Sequence, residues 1–314
     1  MKKALVIGIL ALAMAGSLMS CNQGGGSGKE ILVGYVINNM NDTFQTYVVD
    51  AFKAYFADKP DYTVEVQDAQ EDVVKQQDHV NNLIAKGAKA LVVVPVNTSA
   101  MGPITQAAQN AKIPLVYVNR NPFGEANPPD GVYYVGSQEI VAGTLQGEAM
   151  GAALNGQGGV GILMGKLDNE GAILRTQGNK EVITAKFPNV RILAEETGNW
   201  QRDQGLSLTE NWITTYGADL KGILANNDEM ALGAVEATRL ANRTDILVMG
   251  VDAIPDALVA VANGTMAGTV LQDAAGQGRG AADAAFKALT SQSQDPINWI
   301  PFVLVDKSNL SEYQ

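Results

Sequence analysis

The stretch GILANNDEMALGAVEATRLANRTDILVMGVD (222–252) contains a complete strand–helix–strand pattern. An apolar run at 222–226 is followed by three polar residues and then by apolar residues at helical spacing over 230–241. A second apolar run at 246–252 completes the unit. Strands that alternate with helices of this length form parallel sheets that are covered by helices. The stretch therefore predicts an α/β unit with a polar turn at the carboxyl end of its first strand.

The same unit occurs more than once in the chain. VVVPVNTSAMGPITQAAQNAKIPLVYVN (92–119) has the same order of elements, with Gly102 at the position of Gly233. VGYVINNMND (33–42) and VGILMGKLDN (160–169) are also alike, since each is an opening strand followed by a polar loop. All βαβ units share such features, so the similarity does not require a duplication. We nevertheless expect two similar, doubly wound parallel-sheet domains.

The rest of the chain continues the alternation of strands and helices. Strands are predicted at 31–37, 62–68, 90–96, 114–119, 132–136, 160–165, 190–196, 222–226, 246–252 and 267–273. Helices between them are predicted at 72–86, 101–111, 140–153, 202–215 and 230–241.

Composition excludes several classes of function. The chain has 314 residues, enough for two domains, and its net charge of −11 disfavours nucleic-acid binding. His79 and Cys21 are the only residues of their types. A Ser-His-Asp or Cys-His mechanism and a zinc site therefore lack candidates, and His79 is expected on a solvated polar helix face. We expect no cofactor, no metal and no catalysis, although a hydrolase that uses two carboxylates stays open.

The N-terminus has the layout of an export signal. Two lysines precede an uncharged run at 4–18, which is too short to span a bilayer comfortably. LMSC (18–21) resembles a bacterial lipobox, in which the cysteine is acylated and becomes the first mature residue. We therefore expect a signal peptide at 1–20, and a lipidated Cys21 with a flexible tether over 21–29. In the alternative, the signal is cleaved elsewhere and Cys21 is incidental.

Polar side chains follow the carboxyl ends of most predicted strands, where open parallel sheets bind ligands. They are Asp42, Asn97, Asn119, Arg120, Asp168, Asn169, Asn227, Asp252 and Gln272. Carboxylates accept two hydroxyl groups, amides donate and accept, and a guanidinium donates in a planar fork, so the set suits a neutral sugar. Phe44 and Trp200, one in each expected domain, offer flat surfaces for the C–H faces of the sugar ring.

The polar residues Asn226, Asn227 and Asp228, together with Glu229, receive different assignments. Asn226 and Glu229 have the spacing of a helix-capping pair, and Asp228 lies in the first turn, where negative charge is favourable. Asn227 is assigned to the ligand alone, so its loss is expected to weaken binding without changing the stability of the ligand-free protein.

The chain resembles the periplasmic galactose/glucose-binding protein family, which belongs to the ribose/galactose-type solute-binding group of ABC transporters. The resemblance covers nearly all of residues 30–314. It is carried by LIAKGAKALVVVPV (83–96), ILANNDEMALGAVEA (223–237), VMGVDAIPDAL (248–258), AGTVLQDAAGQ (267–277) and VDKSNL (305–310).

The resemblance implies a type I periplasmic binding protein, with two domains joined by a three-segment hinge. The crossings are expected near 119–122, 271–274 and 296–299. The expected domains are 30–119 plus 274–296 and 122–271 plus 299–314. Such a monomer closes on a sugar in the periplasm and delivers it to an ABC permease, and a chemoreceptor is a further candidate partner. The lipid on Cys21 is its only expected link to the membrane.

The resemblance also implies the ligand-binding residues and marks departures from the family. The implied set is Asp42, Phe44, Asn119, Arg120, Asn169, Arg175, Trp200, Asn227, Asp252 and Gln272. Asn169 stands where the family has a hexose-contacting histidine, and Gly171 replaces an aspartate for which Asp168 or Glu170 could substitute. The family's calcium loop has no counterpart. A hexose such as glucose or galactose is favoured, while a pentose, an inositol, a nucleoside or a furanosyl signal stays open.

Overall fold

The computed structural model describes residues 30–313. The predicted signal peptide, Cys21 and the tether lie outside the described residues. Among residues 30–313, no helix combines the length and the apolar character needed to cross a membrane.

The first sheet has six strands, all parallel. They are β1 (Ile31–Ile37), β2 (Tyr62–Asp68), β3 (Ala90–Val93), β4 (Leu115–Asn119), β5 (Val132–Gly136) and β11 (Ile297–Trp299). Their order across the sheet is β11-β5-β4-β3-β1-β2. Helices α1 (Thr43–Phe56), α2 (Val73–Ala85), α3 (Gly102–Ala111) and α9 (Ala274–Leu289) cover its two faces with apolar side chains.

The second sheet repeats this topology. Its strands are β6 (Gln157–Met164), β7 (Asn189–Thr197), β8 (Leu220–Ala225), β9 (Leu247–Asp252), β10 (Gly268–Gln272) and β12 (Phe302–Val305). The order is β12-β10-β9-β8-β6-β7, and only the edge pair β10–β12 is antiparallel. Its helices are α4 (Glu139–Ala153), α5 (Glu170–Lys186), α6 (Arg202–Tyr216), α7 (Asp228–Leu240) and α8 (Pro255–Asn263). The expectation of two similar α/β domains is confirmed.

The first crossing between the domains is not where the sequence predicted it. Residues 122–136 were expected in the second domain, but β5 pairs in parallel with β4, with Leu115 opposite Val132. The reason is the open edge of β4, whose backbone N–H and C=O groups need a partner strand. The chain therefore leaves the first sheet after Gly136 and enters the second domain at α4.

The third crossing is also shifted along the chain. The segment 297–299 was not predicted as a strand, yet it pairs with β5 and extends the first sheet. The chain consequently crosses after Trp299 and before Phe302, where β12 joins the second sheet. The remaining crossing lies between the end of β10 at Gln272 and the start of α9 at Ala274.

Close packing of α4 on α5 positions part of the second domain. A Cβ atom on Gly143 would overlap the backbone carbonyl of Arg175, and one on Gly178 would overlap the carbonyl oxygen of Ile140. Glycine at both positions lets the two helix backbones approach each other directly. Because Gly143 packs directly against the backbone of Arg175, this contact positions Arg175 relative to α4.

We expect Gly143→Ala to destabilise the protein by about 1–3 kcal/mol, because the added methyl group must push α4 away from α5. Urea unfolding measures the loss. Gly102→Ala is the matched control, since a Cβ atom at Gly102 meets no heavy atom within 4 Å. Equal stability of the two variants would contradict the packing argument.

Candidate functional site

A cavity lies between the two domains, at the carboxyl ends of the strands. Its lining residues are Asp42, Phe44, Gln45, Asn119, Arg120, Glu139, Asn169, Glu170, Gly171, Arg175, Trp200, Asn227, Asp252 and Gln272. The structure brings all ten residues of the predicted ligand-binding set together around this cavity. That each of them contacts a ligand stays a prediction.

Asp42 and Arg120 form the polar part of the wall in the first domain. Asp42 caps helix α1, since its Oδ1 accepts a hydrogen bond from the backbone N–H of Gln45 at 3.3 Å. Its Oδ2 lies 3.8 Å from Nη2 of Arg120, which is buried and donates through Nη1 to the carbonyl oxygen of Pro95 at 2.9 Å. Burial raises the pKa of Asp42, while Arg120 opposes the increase.

Asn119 lines the cavity, but its side chain already has protein partners. Its Oδ1 accepts a hydrogen bond from Gln45 Nε2 at 2.6 Å, and its Nδ2 donates to Gln277 Oε1 at 3.0 Å. Gln277 in turn donates to Ser137 Oγ at 3.1 Å. Asn119 therefore joins three segments of the first domain, and one amide hydrogen and one Oδ1 lone pair of its side chain are left for a ligand.

Arg175 is the central group of the second domain's wall. Its Nε donates to Glu139 Oε2 at 2.6 Å, its Nη1 to the carbonyl oxygen of Asn226 at 2.6 Å, and its Nη2 to Gln272 Oε1 at 3.1 Å. Gln272 also donates to the other oxygen of Glu139 at 3.3 Å. The guanidinium carbon lies 5.7 Å from the ring centre of Trp200. Four neighbours thus hold one buried charge in place.

Asp252 presents a buried carboxylate with little protein compensation. It is 7% exposed, and its nearest cation is Nη1 of Arg175 at 3.8 Å. Among residues 30–313, no group donates a hydrogen bond to this carboxylate. Burial raises the pKa of Asp252 well above its ordinary value, although Arg175 lowers it. Such a group gains most from a ligand that donates hydrogen bonds.

Asn227 is the helix cap, so the assignment of the cap to Asn226 was wrong. The Asn227 backbone is extended, and its Oδ1 accepts a hydrogen bond at 3.1 Å from the N–H of Met230, the third residue of α7. Asn226 continues the β8 strand into the interior, where its Oδ1 accepts from Gly165 N–H and Thr176 Oγ1. Asn227 thus has a structural role in addition to lining the cavity.

Asp228 lies in the first turn of α7, as predicted, whereas Glu229 does not have its predicted capping role. Asp228 is fully buried and accepts hydrogen bonds from Thr269 Oγ1 at 2.7 Å and from the N–H of Ile254 at 3.0 Å. Burial raises the pKa of Asp228 to about 7. Glu229 does not return to the helix start and instead binds Arg202 and Thr43. The two carboxylates therefore connect elements that are distant in sequence.

Trp200 and Asn169 form a rigid pair at the cavity. The indole Nε1 of Trp200 donates to Asn169 Oδ1 at 3.0 Å. Asn169 Nδ2 donates across the cleft to the carbonyl oxygen of Val96 in the first domain at 3.0 Å. A second amide, Nδ2 of Asn227, donates to the carbonyl oxygen of Trp200 at 3.1 Å. The indole plane is therefore fixed before any ligand binds.

Gln45, Glu139, Glu170 and Gly171 line the cavity but were not in the predicted ligand-binding set. Glu170 was considered only as a substitute for a missing aspartate; it lines the cavity, whereas Asp168 is exposed. Glu170 Oε2 accepts from the N–H of Asn121 at 3.3 Å. Burial and the nearby Glu139 raise the pKa of Glu170 to about 8. Glu139 lies at the start of α4, just after the chain crosses from β5 into the second domain, so it does not follow a strand of its own domain.

His79 is half-buried, with Nε2 3.0 Å from the carbonyl oxygen of Asp68, rather than fully solvated as the sequence suggested. It does not line the cavity.

We expect the ligand-free protein to lose stability as pH rises from 5 to 8. Glu170 keeps its proton in the folded state up to about pH 8, while the unfolded chain releases it near the ordinary value of 4.5. The folded state therefore holds the extra proton in this range, and each pH unit costs at most about 1.4 kcal/mol for one such group. Urea unfolding at several pH values measures the slope.

Glu170→Gln should reduce the change in unfolding free energy per pH unit by the contribution of one titrating group. Glu125→Gln, at an exposed loop position, should leave that change as it is in the wild type. Asp228 contributes to the slope in the same direction, so a reduced slope is expected to remain. A full wild-type slope in Glu170→Gln would contradict the assignment.

We also expect Asn227→Ala to lower the stability of the ligand-free protein by about 1 kcal/mol, because the variant loses the cap of α7. This replaces the expectation of unchanged stability that the sequence suggested. Asn227→Ser retains a capping oxygen and should recover most of the loss in thermal unfolding. No loss in the alanine variant would show that the cap is energetically unimportant.

Comparison with known proteins identifies the family. Residues 33–293 match the family model described as periplasmic binding protein domain. The chain is 39% identical to a putative rhizopine-binding protein of Rhizobium meliloti, over 87% of this chain and 89% of that one. It is 31% identical to the ribose import binding protein of Salmonella typhimurium, over 85% and 88% of the two chains.

A solved structure extends the comparison to the fold. An ABC transporter solute binding protein from Bacillus halodurans, with bound myo-inositol, superimposes with a TM-score of 0.85 at 35% identity, covering 92% of this chain and 98% of that one. These relatives are binding proteins rather than enzymes. The chain is therefore a member of the periplasmic binding protein family, in its ribose/galactose-type sugar-binding group.

Proposed function

We propose that this protein binds an uncharged, polyhydroxylated six-membered ring between its domains and delivers it to an ABC permease. The observation that carries the proposal is the buried carboxylate of Asp252, which faces the cavity without a protein donor and lies beside the guanidinium of Arg175. Phe44 and Trp200 line the same cavity and supply apolar surface. This combination suits a ring with hydroxyl groups at its edge and C–H groups on its faces.

Hydrogen-bonding capacity supports a polyol. Asp42 and Asp252 contribute carboxylate oxygens that accept from hydroxyl groups. Arg175 has five N–H groups, of which three are used within the protein, so two remain. Asn227 keeps one amide hydrogen beyond its bond to Trp200. Hydrogen bonds to charged partners are worth about 1.5–3 kcal/mol each, so a few suffice for micromolar or tighter binding.

The identity of the ring is inferred from similarity to other proteins rather than from the geometry of the cavity. The resemblance in sequence favours a hexose such as glucose or galactose. The Bacillus halodurans protein, whose structure contains myo-inositol, is 35% identical to this chain. Myo-inositol has the same ring size with a hydroxyl on every carbon, so the donors and acceptors on both walls of the cavity suit it equally. We therefore place myo-inositol beside glucose and galactose as the first ligands to test.

Delivery to a permease would depend on closure of the two domains. Both domains contribute to the cavity wall, and the chain crosses between them three times. A ligand that contacts both walls stabilises the closed arrangement, and a permease can then distinguish loaded from empty protein. The Bacillus halodurans relative is an ABC transporter solute binding protein, which supports this proposal.

We further propose that the protein is held at the membrane through a lipid on Cys21. The support is the LMSC sequence that ends the predicted export signal. Labelled palmitate should be incorporated into the wild-type protein in cells and not into Cys21→Ser, with unchanged ligand affinity. Absence of the label from the wild-type protein would contradict the anchor.

For the ligand, isothermal titration of the wild-type protein should detect myo-inositol, glucose or galactose with micromolar or tighter affinity. Asp252→Asn should weaken that binding at least tenfold, because the charged acceptor is lost while the shape is kept. Asp130→Asn, at an exposed position, is the matched control and should bind as the wild type does.

The same panel includes ribose, xylose and a nucleoside. Binding of the nucleoside with no response to any sugar or inositol would refute the proposal. Recovery of chemically altered sugar after incubation would favour the hydrolase alternative.

A further inference from the structure

The cavity opens into a wider space between the domains. Two side-chain contacts bridge the domains along this opening. Lys166 Nζ, after β6 in the second domain, lies 2.6 Å from Glu71 Oε2, after β2 in the first. Thr43 Oγ1, at the start of α1, donates to Glu229 Oε1, in the first turn of α7, at 3.0 Å. We call these two contacts the rim pairs.

Each rim pair uses a carboxylate that is anchored on its own domain. The second oxygen of Glu71 accepts a hydrogen bond from Asn38 Nδ2 at 2.7 Å, within the first domain. The second oxygen of Glu229 accepts from Arg202 Nε at 2.7 Å, within the second domain. Each carboxylate is therefore positioned by its own domain and takes its remaining donor from the other. The bridging bond costs little side-chain entropy, because one partner is already ordered.

The backbone at Glu71 supports a specific role for this residue. Gln70 and Glu71 have φ values of 52° and 59°, a left-handed conformation that is unfavourable for residues other than glycine. Two hydrogen bonds hold the turn, from the N–H of Glu71 to the carbonyl oxygen of Asn38 at 2.8 Å and from the N–H of Gln70 to Asp68 Oδ1 at 2.9 Å. The first domain therefore maintains an energetically unfavourable backbone turn, and this turn places the Glu71 carboxylate at the rim.

None of the four side chains of the rim pairs lines the cavity in which the ligand is proposed to bind. Their contacts exist only when the two domains are close together. A contact of this kind changes the equilibrium between open and closed protein, and the apparent affinity for a ligand scales with the closed fraction. Its effect is the same for every ligand that requires closure.

We propose that Glu71 and Lys166, together with Thr43 and Glu229, are positioning residues that set ligand affinity by stabilising the closed arrangement. The inference rests on the proposed function, since it presupposes a ligand that binds between the domains. Loss of a rim pair opens the protein more often and releases the ligand faster. The contacts between ligand and cavity stay as they are.

The test is a double-mutant cycle on the ion pair, with myo-inositol, glucose and galactose as probes. Lys166→Gln and Glu71→Gln should each weaken binding by about two- to fivefold, the factor of a partly exposed ion pair. The double variant should be no weaker than either single variant, because both remove the same interaction. Stopped-flow tryptophan fluorescence should assign the change to faster dissociation.

Four further measurements separate closure from a general structural effect. The fold-loss of affinity in each single variant should be the same for every probe that binds. It should approach one at high salt, where the ion pair is screened. The urea midpoint of the ligand-free protein should not change. The reversed pair Glu71→Lys/Lys166→Glu should recover part of the affinity. Lys180→Gln is the matched control, because Lys180 pairs with Glu195 at 2.7 Å within the second domain.

Wild-type affinity and dissociation rate in Lys166→Gln, or additive losses in the double variant, would overturn this inference and leave the proposed function intact. Absence of binding by the wild type to any of the probes would instead overturn the proposed function.

Discussion

The buried guanidinium of Arg175 is the interaction on which the second domain's part of the site depends. Burying an unpaired cation costs several kcal/mol, so its neighbours must supply a carboxylate and oriented carbonyl oxygens. Glu139 comes from α4, the carbonyl of Asn226 from the end of β8, and Gln272 from the end of β10. One charge thus brings together a helix start and two strand ends. The glycine contact between α4 and α5 sets its position.

The same low-dielectric cavity accounts for the behaviour of its acids. Asp42, Glu139, Glu170 and Asp252 share the space with only two guanidinium groups, those of Arg120 and Arg175. Burial raises the pKa values of Asp42, Glu170 and Asp252 because the protein compensates their charges incompletely. The hydroxyl groups of the proposed ligand would supply hydrogen-bond donors without adding charge.

The residues lining the cavity could be predicted well because parallel strands end at a common edge. A polar residue after an apolar run is visible in a single sequence, and the sheet then collects such residues in one place, as it does for Asp42, Asn119 and Asp252. The cap of α7 was missed by one residue, since Asn226 and Asn227 are chemically identical and only the backbone geometry separates strand from cap. Glu139 follows no strand-end pattern within its own domain.

By itself, the sequence determined the α/β class, the repeated unit and the polar strand ends, because each is encoded in residues near one another along the chain. The tertiary structure decided which sheet β5 and β11 join, and it showed that the amides of Asn119, Asn169 and Asn227 already hold protein partners. It also decided that Glu71 and Glu229 meet donors across the cleft. Strand pairing and these hydrogen bonds join residues that are distant along the chain, and local periodicity contains no information about such partners.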